Sequence, residues 1–114
     1  MLQSLGYKVI IAEDGVYAIE QIIAHDTEVD VILMDQSMPR KDGLTATKEI
    51  RAMEDQGKLS RRRPIIAVSA VVSAEAQTLF RLAGADDFLP KPLSLDKLES
   101  TLATHLRLDG ERPR

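Results

Sequence analysis

Four short segments along the chain are apolar with few interruptions: Tyr7 to Ala12, Asp30 to Met34, Ile65 to Val68 and Asp86 to Leu89. They are rich in Val and Ile and do not alternate with polar residues, so each predicts a strand covered on both faces. The stretches between them carry apolar residues at helical spacing. These stripes are Val16, Ile19, Ile22 and Ile23; Leu44, Thr47, Ile50 and Met53; Ala76, Leu79, Phe80 and Ala83; and Leu95, Leu98, Leu102 and Leu106. Each gives a helix one face to bury. Asp14, Asp42, Ser73 and Ser94 stand just ahead of the stripes, where a side-chain oxygen accepts from the first free N–H groups of a helix. Gly84 fits a helix stop. Strand and helix alternating in this way predict an α/β domain, a parallel sheet with helices on both faces.

Composition narrows the classes. With 114 residues, 44% of them hydrophobic and 29% charged, the chain is sized for one domain with a real core. The absence of cysteine excludes a disulfide framework, a thiolate metal site and a cysteine nucleophile. No apolar run approaches the roughly 18 residues of a membrane span, and no secretory signal follows Met1, so the expected location is the cytoplasm. A net charge of −3 argues against nucleic-acid binding. Arg61, Arg62 and Arg63 have no interleaved aromatic residue and read as a solvated loop. His25 and His105 read as surface residues without a metal role. The expected domain covers residues 1–106, followed by a polar tail over 107–114.

In an open parallel sheet, ligands bind beyond the carboxyl ends of the strands. Asp35 ends the second apolar segment, Ser69 the third, and the fourth runs through Leu89 and Pro90 into Lys91. Taken singly, an Asp that caps a turn, a neutral Ser and a solvated Lys are all ordinary. At matching ends of successive strands, they form a set with chemistry. A carboxylate attacks phosphorus to form an acyl phosphate, and the transferred group needs positive charge and hydrogen-bond donors around its oxygens. Lys91 supplies charge and Ser69 a donor. A divalent cation normally screens the carboxylate from an incoming phosphate. Mg²⁺ would want further carboxylates, and Glu13 and Asp14 after the first segment serve only if that strand lies beside the one carrying Asp35.

Three runs, Met34-Asp35-Gln36-Ser37-Met38-Pro39 with Asp42-Gly43, Ile66-Ala67-Val68-Ser69-Ala70, and Gly84-Ala85-Asp86-Asp87-Phe88-Leu89-Pro90-Lys91-Pro92, resemble the receiver domain of two-component response regulators. The resemblance covers about residues 1–106. It implies a flavodoxin-like, doubly wound parallel sheet in which Asp35 is the phospho-acceptor, carried as 4-aspartylphosphate. It makes Ser69 the hydroxyl that turns toward the phosphoryl group, Lys91 the lysine that pairs with it, and Phe88 the aromatic switch residue that moves with Ser69. It implies Mg²⁺ as cofactor, held by Asp35, by the backbone carbonyl of Ser37 and by an acidic pair. It also implies a cis Lys91–Pro92 bond and a histidine kinase or phosphotransfer protein as partner. The signalling face would comprise residues 73–106. The Ser at position 37 and the Arg-rich loop are similar to receivers of hybrid histidine kinases.

The chain departs from the family at its start. A complete receiver has one more strand and helix, the strand being central in the order 2-1-3-4-5 and ending in the acidic pair. Both are missing here, so the expected fold is truncated at its N-terminus, with Met1 to Leu5, joined by Gly6 and Tyr7, as the last turn of the missing helix leading into the next strand. Removing a central strand leaves its neighbours about 10 Å apart with unpaired backbone. Direct closure, a strand from another chain, or a sequence that begins upstream would each resolve this, and the last is the favoured expectation. The function expected is a phospho-accepting signalling domain rather than an enzyme. The alternatives are a pseudo-receiver that only binds a partner and an aspartyl-phosphate hydrolase, which would need an acid where Ser37 stands.

Overall fold

The elements follow the predicted alternation: β1 (Val9–Ala12), α1 (Gly15–Ala24), β2 (Val31–Asp35), α2 (Gly43–Asp55), β3 (Ile65–Ser69), α3 (Ala74–Ala83), β4 (Asp87–Pro90) and α4 (Leu95–Leu108). The computed structural model describes residues 8–12, 14–35, 43–70 and 73–108. Tyr7 and the expected cap Asp42 lie outside them. The other caps act as their sequence positions imply. Asp14 Oδ1 accepts from the N–H of Val16 at 2.7 Å and of Tyr17 at 3.2 Å, and Ser73 Oγ from Ala76 N–H at 3.1 Å. Ser94 Oγ accepts from Lys97 N–H at 3.4 Å. Gly84 ends α3 in the left-handed region with φ 116°. Helix α4 runs through Leu108, past the expected boundary at residue 106.

All four strands are parallel, in the order β1-β2-β3-β4. Right-handed crossovers between strands laid down in sequence carry every connecting helix to one face. Ala18 and Ile22 of α1 and Ala46 and Ile50 of α2 therefore pack with Ile10, Ile32, Met34 and Ile65. Phe80 of α3 packs on Ala67 of the same face. The opposite residues Val31, Leu33, Ile66, Val68 and Leu89 meet Leu98 and Leu102 of α4. This two-sided burial is why β2 and β3 read as unbroken apolar runs.

The strand gap does not occur. Val9 to Ala12 pair directly with Val31 to Met34, which gives the facing backbone groups partners. Asp30, which is buried, fastens the start of this pairing: its Oδ2 accepts from Lys8 N–H at 2.8 Å and its own N–H donates to Lys8 O at 2.9 Å.

Three stripe positions are corrected. Ile23, Leu79 and Leu95 are 57%, 54% and 53% exposed. Ile23 and Leu79 each adjoin a residue aimed at the sheet, Ile22 and Phe80, and one step along a helix rotates a side chain by about 100°. Leu95 is the first residue of α4, ahead of the turns carrying Leu98 and Leu102. The arginine run is corrected more sharply, because Arg63 is fully buried and all three residues are paired. Arg61 reaches Asp30 at 3.3 Å, Arg62 reaches Asp86 at 2.8 Å and Arg63 reaches Asp26 at 2.7 Å. Arg51 adds contacts to Asp86 at 2.7 Å, to Glu54 at 2.6 Å and to the carbonyls of Gly84 and Arg63 at 2.9 Å. Each histidine also has one carboxylate partner, His25 with Glu28 at 3.3 Å and His105 with Asp87 at 2.9 Å. The arginine–carboxylate pairs lock the end of the sheet remote from Asp35.

Candidate functional site

The parallel register brings the carboxyl ends of β2, β3 and β4 to one edge. Asp35 is the last residue of β2 and is paired with Val68, one residue short of Ser69 at the end of β3; Ser69 in turn pairs with Pro90, the last residue of β4. The chain then turns outward, with Lys91 N–H donating to Ser69 O at 2.9 Å. The Lys91 ammonium returns over β3 and donates to Asp35 Oδ2 at 2.6 Å. The Lys91–Pro92 peptide is cis, as the resemblance implies. Ser69 is 3% exposed, between the strands that carry the ion pair.

Asp35 and Lys91 line an open cleft of about 590 Å³ whose walls are apolar: Ile11, Leu33, Val68 and Leu93 contribute most of the rest. Ile11 is 64% exposed, facing the side on which α4 packs. Sequence reasoning missed this cleft. Ile11 sits inside an all-apolar strand, and nothing in such a run distinguishes a covered residue from an open one. Phe88, one strand position before Leu89, is half-buried and meets Phe80 edge-to-face, with ring centroids 5.8 Å apart and planes at 62°. That contact fixes its ring against α3, away from the α4 face.

The described residues thus bring Asp35, Ser69 and Lys91 together on three adjacent strands, with Phe88 on the third. Ser37 and Glu13 lie outside the described residues. The response regulator receiver domain model matches residues 1–103. The chain belongs to this family. The receiver is 38% identical over 105 residues to Histidine protein kinase 1 of Candida albicans, a match covering 89% of this chain and 4% of that protein. It is 37% identical to Response regulator MprA of Mycobacterium leprae, covering 90% of this chain and 41% of that protein. The chain therefore spans well under half the length of these relatives. Among solved structures it is similar to the receiver domain of the sensor histidine kinase PA1611 from Pseudomonas aeruginosa PAO1, at 35% identity and TM-score 0.71, with 92% of this chain and 81% of that one covered. That structure has a magnesium ion coordinated in its active site cleft. The CheY of a CheX-CheY complex from Borrelia burgdorferi, at 20% identity, TM-score 0.76, and 86% and 87% coverage, shares the fold.

Receiver domains bind Mg²⁺, which sets what the donors of this one must supply. Mg²⁺ takes octahedral oxygen donors, with carboxylates supplying the charge. Among the described residues, no group of three or more His, Asp or Glu is placed to hold a metal. Asp35 shares an oxygen with Lys91, and Asp14, the acidic residue that opens α1, uses Oδ1 to cap that helix. The described donors do not fit a resident Mg²⁺. Among the described residues no helix is long and apolar enough to cross a membrane.

Proposed function

We propose that this receiver accepts a phosphoryl group on Asp35 from a phosphohistidine of a histidine kinase or phosphotransfer protein. The observation that carries the reading is the 2.6 Å contact between Lys91 Nζ and Asp35 Oδ2, at the mouth of an open cleft and beside Ser69. An Asp35 oxygen forms a bond to phosphorus as the P–N bond to the imidazole breaks, and the imidazole leaves with a proton taken from water. Lys91 offsets the charge gathered around the phosphoryl oxygens, and the Ser69 hydroxyl donates to one of them. Phe88 follows Ser69 in the response. Residues 1–106 form the receiver, and the signalling face spans 73–106, an assignment supported by the exposed Leu79, Leu82 and Leu95 on α3 and α4.

The test is the intact mass of the purified chain after incubation with acetyl phosphate, with Asp35→Asn as control. A gain of one phosphoryl group in the parent and none in Asp35→Asn is expected. Labelling of Asp35→Asn overturns the site assignment. A folded parent that takes no label favours the second reading, a receiver that binds partners without being phosphorylated, which draws its support from the single carboxylate among the described site residues.

A further inference from the structure

We propose that Phe80 is the positioning residue for Phe88: it holds the Phe88 ring in its resting place and carries the movement of that ring into α3. The stimulus that moves the ring rests on phosphoryl acceptance at Asp35, as proposed above; the resting contact stands on geometry alone.

Alternation along β3 turns Val68 toward α4 and its neighbours Ala67 and Ser69 toward the opposite face. Phe88 pairs with Ala67 in the parallel register and packs in the same cluster, so it stands diagonally across from Ser69 on one face of the sheet. Diagonal neighbours of this kind are within reach of an aromatic ring. Ala67 is small, and the room above it is filled from α3 by Phe80, which is 1% exposed. The two rings then meet edge-to-face, with centroids 5.8 Å apart. Such a pair adds a modest preference beyond its buried area, which suits a resting state that a chemical event must be able to reverse.

The backbone of Phe88 is held in place. Strand pairing fixes it beside Ala67, and its N–H donates to Asp87 Oδ1 at 2.8 Å, while the other oxygen of Asp87 lies 2.9 Å from His105 of α4. A response at Phe88 is therefore a rotation of the ring. The groove beside the ring pair, lined in part by Gln77, Arg81 and Asp87, has about 40 Å³ of room, enough for water but not for a phenyl ring. The path of the ring runs toward Ser69 instead, and along it the ring leaves the edge of Phe80. A gap at a buried ring forfeits the contacts of its lining, so α3 shifts to close it. Leu79 and Leu82, exposed on that helix, move with Phe80.

The test uses the 114-residue chain made with para-fluorophenylalanine at its two Phe positions. Phe80→Leu leaves one fluorine signal and so assigns both; urea unfolding checks that the variant is folded, and Phe80→Met replaces it if it is not. Before labelling, the displacement of the Phe88 signal between H₂O and D₂O measures how exposed the ring is. That exposure is expected to rise in Phe80→Leu, with the ratio of resting to displaced ring positions lower by about fivefold, the scale of one lost ring pair. Ile22→Ala, a cavity in the core beneath α1, is expected to lower stability and leave the Phe88 exposure unchanged. Equal exposure in the parent and Phe80→Leu, or an equal change in Ile22→Ala, overturns the proposal and makes Phe80 a filler of the core.

Acetyl phosphate with MgCl₂ is then added, and the labelled fraction is counted by intact mass. In the parent, both fluorine signals and the backbone amides of Leu79 and Leu82 are expected to move in proportion to that fraction. At equal labelled fraction the amide movements are expected to shrink several-fold in Phe80→Leu, and undiminished movement overturns the coupling into α3. A parent that takes no label defeats phosphoryl acceptance instead, and the comparison before labelling still decides whether Phe80 positions Phe88.

Discussion

Lys91 and Asp35 are joined at 2.6 Å across an intervening strand, so a single ion pair ties the ends of β4 and β2 over the end of β3. The pair stands at the rim of the sheet, with the Lys91 side chain 39% exposed. Such pairs contribute little to stability, because solvent screens them and two side chains lose freedom to form them. The placement therefore suits the phosphoryl-accepting role proposed above better than a scaffolding one.

Lys91→Met separates these roles. Urea unfolding of Lys91→Met is expected to differ from the parent by less than about 1 kcal/mol, while labelling by acetyl phosphate falls sharply. A large loss of stability would mean that the pair holds the fold.

The opposite end of the molecule behaves in the contrary way. Arg63 is fully buried, and among the described residues its Nε and Nη1 have no hydrogen-bond partner, so only the Nη2 group is well served. Replacing a buried ion pair by apolar groups of similar size is often neutral, whereas removing only the compensating charge strands the other at a cost of about 3–5 kcal/mol. The double variant Asp26→Leu with Arg63→Met is thus expected to unfold within about 1 kcal/mol of the parent, and Asp26→Ala alone several kcal/mol earlier. Denaturant midpoints of the three proteins measure the difference.

The same pair sets an acid dependence. Burial pulls the Asp26 carboxyl upward, but hydrogen bonds from Arg63 and from Ser60 outweigh it and hold the group below its ordinary value. A carboxyl lowered by folding contributes stability above its unfolded pKa of about 3.9, and that contribution is lost as the pH falls through the folded value. The parent is expected to lose stability below about pH 4 more steeply than Asp26→Asn. Urea titrations at several acid pH values compare the slopes, and equal slopes would remove Asp26 from the account.

Two glycines in the left-handed region offer a paired test. At Gly57, φ is 77° and a Cβ would meet nothing within 4 Å, so Ala there adds only the conformational cost of about 1–2 kcal/mol. At Gly84, φ is 116° and a Cβ would stand 2.6 Å from Arg51 Cγ. Arg51 is held by bonds to Gly84 O, Arg63 O, Glu54 and Asp86 and cannot yield freely. Gly84→Ala is expected to lower the melting temperature more than Gly57→Ala. The reverse order would show that Arg51 moves aside without loss.

The order of elements, and the meeting of Asp35, Ser69 and Lys91 at one sheet edge, were legible in the chain because both depend on local pattern. Unbroken Val and Ile runs specify strands buried on two faces, helical stripes specify what covers them, and a polar residue directly after a strand must emerge at the edge where ligands bind. Asp35, Ser69 and Lys91 follow from that logic alone. Tertiary structure decided what local pattern cannot carry. That β1 pairs with β2 depends on which backbone groups find partners, a property of the assembled sheet rather than of either strand. Arg61, Arg62 and Arg63 looked like a solvated run because charge is costly to bury unless it is paired. Asp30, Asp86 and Asp26 lie 31, 24 and 37 residues away, and only the fold brings them into contact.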